Sequence, residues 1–97
     1  MLYQIIPSFT FCQEEENAYY TLPSLHDREN LTSGQLVNIV LKIEDGFKSG
    51  YEKLWVKIAG FEDNYYEGKL VDGSSISTNL PANMTLHFQT TDILMIW

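Results

Sequence analysis

From residue 51 to residue 71 the chain reads YEKLWVKIAGFEDNYYEGKLV, in which two period-two runs, LWVKIAG and YYEGKLV, flank a short acidic turn, FEDN. Apolar residues at every second position mark a half-buried strand. The segment therefore predicts a β-hairpin carrying Trp55, Phe61, Tyr65 and Tyr66, with a glycine, Gly68, inside its second strand. The same alternation is clearest over residues 36–43, where Val37, Ile39, Leu41 and Ile43 share one face and Asn38 and Lys42 the other, so this strand is expected at the centre of the sheet. The two glycines of DGFKSG, residues 45–50, predict a loop of about six residues. Leu54, Val56 and Ile58 then share a face opposite Trp55 and Lys57, and Asp72-Gly73 ends the return strand. SSISTNLPAN is too polar, and too broken by Pro81, for a regular element. Met84, Leu86 and Phe88 alternate with Thr85, His87 and Gln89, and ILMIW closes the chain as a last strand. An indole such as that of Trp97 buries roughly 150–250 Å² when packed, which predicts a C-terminus tied down by its side chain.

Upstream, residues 2–11 are rich in Tyr, Ile and Phe and predict a first strand, which Pro7 demotes to an edge or splits. CQEEENA, with Glu14, Glu15 and Glu16, reads as a solvated loop. Ser24, three residues before Asp27, resembles a capping box and predicts one short helix over residues 24–29, ended before Gly34. Five strands after one short helix, joined mostly by hairpin-length loops, give a mainly β class: a strongly bent antiparallel sheet or small SH3-like barrel. Gly68, across from the Trp55 region, supplies the bend or bulge that such a sheet needs. Val37, Ile39, Leu41, Val56, Ile58, Leu86 and Phe88 are the expected core.

At 97 residues, 44% hydrophobic and 13% aromatic, the chain is expected to fold as one domain, residues 1–97, without a partner's help. Thirteen acidic against six basic residues give a net charge of -7, which repels phosphate backbones and anionic lipid. Nucleic acid and membranes are therefore not the expected partners. Cys12 is the single cysteine, so no disulfide closes within the chain, and no run reaches a membrane span or an export signal. A cytoplasmic protein is the expectation. The triplets Asn30-Leu31-Thr32 and Asn83-Met84-Thr85 match the glycosylation pattern, which matters only in a secreted chain.

The succession YYTLPSLHDRENLTSGQLVNIVLKI, EKLWVKIAGFEDNYYEGKLVD and LPANMTLHFQTTDILMIW, covering residues 19–97, resembles a group of small bacterial proteins that form a domain-of-unknown-function family. In that group an LPS segment leads into a strand, a WV strand follows, then a Y.G.L strand and an F-containing ending. The resemblance implies a compact β-rich unit and carries over no catalytic residue. Here Asp72-Gly73-Ser74-Ser75 stands where the group carries asparagine and proline.

Chemistry-bearing residues are few. Cys12, His26 and His87 could be paired on paper for nucleophilic catalysis, yet no nucleophile-elbow or metalloprotease pattern accompanies them. His26 with Asp27 and Glu29 falls short of a structural zinc set and reads as solvated helix surface. The glycines at 46 and 50 precede no helix and make no phosphate loop. No catalytic residue, cofactor or metal is expected. The aromatic hairpin stands out, because exposed aromatic side chains dominate protein interfaces. Trp55, Phe61, Glu62, Asp63, Tyr65, Tyr66 and Glu67 are the expected partner-binding residues. The expected function is a non-catalytic protein-binding module, for instance an immunity or antitoxin-like protein neutralising a basic partner drawn in by electrostatic steering. The alternative is a small-ligand binder or small enzyme with an inner pocket lined by Tyr19, Tyr20, Trp55 and His87. Oligomeric state is not legible.

Overall fold

In the computed structural model, residues 1–14 and 21–97 are described, and for Glu14 the backbone alone. The elements run β1 (Leu2–Ile6), α1 (Ser8–Glu14), α2 (Leu25–Glu29), β2 (Leu36–Asp45), β3 (Lys48–Glu62), β4 (Tyr65–Leu70), β5 (Thr85–Phe88), a 3-10 turn (Thr90–Asp92) and β6 (Ile93–Ile96). All strands join one antiparallel six-stranded sheet in the order β1-β2-β3-β4-β5, with β6 against the other half of the β2 edge that β1 occupies.

The sheet is a strongly curled half-barrel, and β3 causes the curl. Its residues 48–57 pair with β2 and its residues 56–62 with β4, so the two pairings overlap at Val56 and Lys57. Such stagger tilts strands toward closure. A bulge at Ala59, between Ile58 and Gly60, adds twist where the two pairings meet. Gly68 sits opposite Ile58, and a Cβ there would lie 2.3 Å from Val56 Cγ1 and 3.1 Å from the Lys57 carbonyl. The expected bend is therefore met by a bulge on β3 and a close approach that only glycine on β4 permits.

The concave face holds the core: Val37, Ile39, Leu41 and Ile43 of β2, Leu54, Val56 and Ile58 of β3, Tyr66 and Leu70 of β4, Leu86 and Phe88 of β5, with Leu80 and Ile93. Every expected core residue is among them. On the convex face a second cluster joins Ile6, Phe11, Val40 and Leu94 beneath α1. β2 is thus buried on both faces at its middle. Asn38, expected on a polar face, is 2% exposed, and its Oδ1 has no hydrogen-bond partner.

Several expectations are corrected. Residues 8–11 continue not as strand but as α1, although Ser, Thr and Phe are poor helix formers. Tertiary contact decides: Phe11 and Cys12 pack on the convex cluster, and the buried Ser8 hydroxyl donates to the Thr91 carbonyl at 3.0 Å. Among the described residues there are consequently two short helices. β1 is an edge strand, as Pro7 implied. The expected loop over 12–18 is helical through Glu14, while Glu15, Glu16, Tyr19 and Tyr20 lie outside the described residues. The expected six-residue loop at 45–50 is a two-residue turn, Gly46-Phe47, because Asp45 pairs with Lys48; Gly46, at φ +65°, opens that turn. Trp97 is 85% exposed. The end of the chain is held instead by its N–H, which donates to the Leu36 carbonyl at 2.9 Å, and by an edge-to-face contact with Trp55. As expected, Ser24 caps α2, its side chain accepting the Asp27 N–H at 3.1 Å.

The irregular stretch after β4 is tied to the sheet by two carboxylates. Glu52 accepts from the hydroxyls of Ser74 and Ser75 and from the Ser75 N–H. Asp45 accepts from the Ser77 hydroxyl and from Asn79 Nδ2. Burial pushes the Glu52 carboxyl up, but the bonds from Ser74 and Ser75 outweigh it and hold the group below its ordinary value; the Ser77 bond lowers Asp45 likewise.

Candidate functional site at the hairpin tip

The β3–β4 hairpin closes through Asp63 (φ 54°) and Asn64 (φ 68°), with Glu62 paired to Tyr65. Two consecutive left-handed residues form the turn whose twist matches that of the strands, and Asp and Asn tolerate that conformation better than most residues. This short turn carries the tip past the packed core. Around it Gly60, Phe61, Glu62, Asp63, Tyr65, Glu67 and His87 line a depression of about 540 Å³.

The Ala59 bulge sets which side chains reach it. Strict period two would place Phe61 on the face of Trp55 and Lys57. Beyond the bulge Phe61 pairs with Tyr66, while Gly60 pairs with Glu67 on the opposite face. Phe61 therefore lies against the Tyr66 ring, centroids 4.7 Å apart, and is still 55% exposed. Opposite Gly60, which brings no side chain, Glu67 pairs with His87 of β5, His87 Nε2 lying 3.5 Å from Glu67 Oε1. Tyr65, 45% exposed, pairs with Glu62 on the face of Glu67, opposite to the Phe61 ring, so the depression with its three carboxylates, those of Glu62, Asp63 and Glu67, is bordered by one aromatic side chain from each face of the hairpin.

Five of the seven expected binding residues, Phe61, Glu62, Asp63, Tyr65 and Glu67, thus meet at one depression. The other two do not. Tyr66 is 1% exposed and belongs to the core, where its hydroxyl donates to the Arg28 carbonyl at 2.7 Å and accepts the Leu31 N–H at 3.3 Å. It supports the tip from beneath and docks α2. Trp55 lies farther down β3, opposite Asn38, against Trp97 at 5.9 Å. His87 and Gly60 are members that the sequence reading did not assign. Their signal was faint: a histidine at an outward strand position, and a glycine beside a bulge that the alternation alone does not reveal.

Cys12, His26 and His87 sit on α1, α2 and β5. Cys12 packs with the convex cluster, and the Asn30 amide, which donates to the His26 carbonyl at 2.6 Å, also approaches the His26 ring. Trp55 and His87 lie on strands separated by β4, with Tyr19 and Tyr20 outside the described residues, so the described part of the alternative pocket is not assembled. Among the described residues no group of three or more His, Cys, Asp or Glu could hold a metal ion, and no helix is long and apolar enough to cross a membrane. Comparison with family models, curated proteins and solved structures finds no match.

Proposed function

We propose that this protein is a non-catalytic protein-binding module whose hairpin tip engages a basic partner protein. The observation that carries the reading is the convergence of exposed Phe61 and Tyr65 with Glu62, Asp63 and Glu67 around one depression. Aromatic side chains give large contact area at low entropic cost, and the carboxylates around them attract and orient a positively charged surface. The net charge of -7 extends that attraction beyond contact range. An immunity or antitoxin-like role, neutralising a basic toxin domain in a bacterial cytoplasm, is the concrete form of this reading.

Site-specific photocrosslinking tests it. A benzoylphenylalanine at position 65 should capture a defined, basic protein, and the yield of adduct should fall when irradiation is done in high salt. The same probe at position 97, more exposed than position 65 but held beside Leu36 and Trp55 rather than at the tip, should not. Equal capture at both positions, or an acidic partner at position 65, would overturn the assignment.

A further inference from the structure

The edge of β5 adjoins the acidic depression, and its main chain is open. In an antiparallel ladder each residue turns both its N–H and its C=O to the same neighbour, and successive residues alternate sides. Leu70 fixes the phase: its N–H donates to the Met84 carbonyl at 3.0 Å and its carbonyl accepts the Asn83 N–H at 2.8 Å. Gly68 and Tyr66 therefore face β5 as well, and so their partners Leu86 and Phe88 face back toward β4. Thr85, His87 and Gln89 turn outward. Gln89 is sealed within the chain, because its N–H donates to Asp92 Oδ2 at 2.8 Å and its carbonyl accepts the Asp92 N–H at 2.9 Å. Thr85 and His87 have no such seal among the described residues, and β5 ends the strand order.

His87 joins this edge to the depression, since its side chain lines the same hollow as Glu62, Asp63 and Glu67. The field along the edge is graded. At the other end of β5, Thr85 pairs with Lys69, which in turn pairs with Lys57. We infer that β5 accepts an extended strand from the partner, hydrogen-bonded to Thr85 and His87, with the partner's basic side chains beside Glu67 and Glu62 and none beside Lys69. This deepens the proposed binding of a basic protein and rests on it. Main-chain pairing supplies affinity in such strand addition, and the flanking side chains supply selection. A second copy of this chain is the disfavoured occupant, because pairing two β5 edges would bring together two chains that each carry a charge of -7.

The test is an amide chemical-shift titration of the full chain with a short synthetic peptide of alternating lysine and valine. Thr85 and His87 should shift together with Glu62 and Glu67. Two further peptides, N-methylated on one or the other set of alternate residues, should separate: one set loses roughly tenfold or more in affinity and the other binds as before. On the protein, His87→Pro removes an outward N–H that the ladder does not use and should abolish binding, whereas His87→Ala keeps that N–H and should bind roughly tenfold or more tighter than the proline variant. Thermal unfolding checks that the proline variant is folded, and the methylated peptides decide the matter without it. Shifts at Glu62, Asp63 and Glu67 with indifference to methylation would overturn strand addition and leave the acidic tip standing. No shift at any of these residues would overturn both. Concentration-dependent β5 shifts without peptide, with dimers in sedimentation, would overturn the inference in favour of self-association.

Discussion

Gly68→Ala is the sharpest test of how the sheet curls. The added methyl would sit 2.3 Å from Val56 Cγ1, 3.1 Å from the Lys57 carbonyl and 3.2 Å from Phe88 Cε1. Val56 and Phe88 are both essentially fully buried, so neither can swing aside without disturbing the concave core. Relative to glycine, alanine in a strand recovers about 0.5–1 kcal/mol of backbone entropy. Overpacking costs about 1–3 kcal/mol, and a contact this short belongs at the upper end. The expected net loss is about 2 kcal/mol, which at roughly 4–8 °C per kcal/mol lowers the melting temperature by about 8 °C or more. A double-mutant cycle with Val56→Ala isolates the cause. Removing Cγ1 frees the space that the new methyl needs, so the double variant should be more stable than the sum of the single losses by about 1 kcal/mol or more. Denaturant unfolding of the four proteins reads it. A neutral or stabilising Gly68→Ala, or strict additivity with Val56→Ala, would refute the close-approach argument.

Ile39→Ala, at a fully buried position of the central strand, should cost about 2–5 kcal/mol in denaturant unfolding; a cost below about 1 kcal/mol would mean the register of β2 is wrong. Asn38→Leu should stabilise by about 1–3 kcal/mol, because it removes a buried carbonyl that has no partner and keeps nearly the same shape; clear destabilisation would show that the amide is satisfied in solution. The carboxylates of Asp45 and Glu52 lie below their ordinary values of 3.8 and 4.5, so their stabilising contribution is present above those values and is lost as pH falls through the lowered ones. Asp92, raised by burial, acts oppositely and favours the folded state as pH falls, so a local readout is needed. Protection of the Ser75, Ile76 and Ser77 amides, taken against the intrinsic exchange rate at each pH, should fall on acidification and be low already at neutral pH in Glu52→Gln; pH-independent protection there would contradict the tie between loop and sheet.

The strands were legible because burial imposes period two wherever one face of a sheet meets a core; Leu54 to Ile58 and Met84 to Phe88 obey it, and Val37 to Ile43 departs from it at Asn38 and Val40, which are buried on the other face. What escaped were features set by contacts between distant residues. The sequence of α1 favours a strand, and only its seat on Val40 and Leu94 makes it a helix. Ser49 and Gly50 look like loop, yet both belong to β3, where Ser49 pairs with Glu44 and Gly50 with Ile43. The tip residues were found because they are neighbours along the chain. Their division was hidden, since one bulged residue at Ala59 moves Phe61 to the other face, and the adjacent residues Tyr65 and Tyr66 must point opposite ways. His87 joins the site from β5, which only the strand order reveals.

The central claim, recognition by an acidic aromatic tip, is tested most directly by association rates. The photocrosslinked partner is immobilised, and surface plasmon resonance compares the wild type with Glu62→Gln/Asp63→Asn/Glu67→Gln at two salt concentrations. Screening acts over about 8–10 Å at ordinary ionic strength, so the wild-type association rate should fall steeply with salt. The triple variant should associate more slowly and with a flatter salt dependence, while a His26→Ala/His87→Ala variant, with every tip carboxylate intact, keeps the wild-type association rate and its salt dependence. Unchanged rates in the charge variant, with binding lost in the histidine variant, would contradict the account and point to chemistry at the imidazoles.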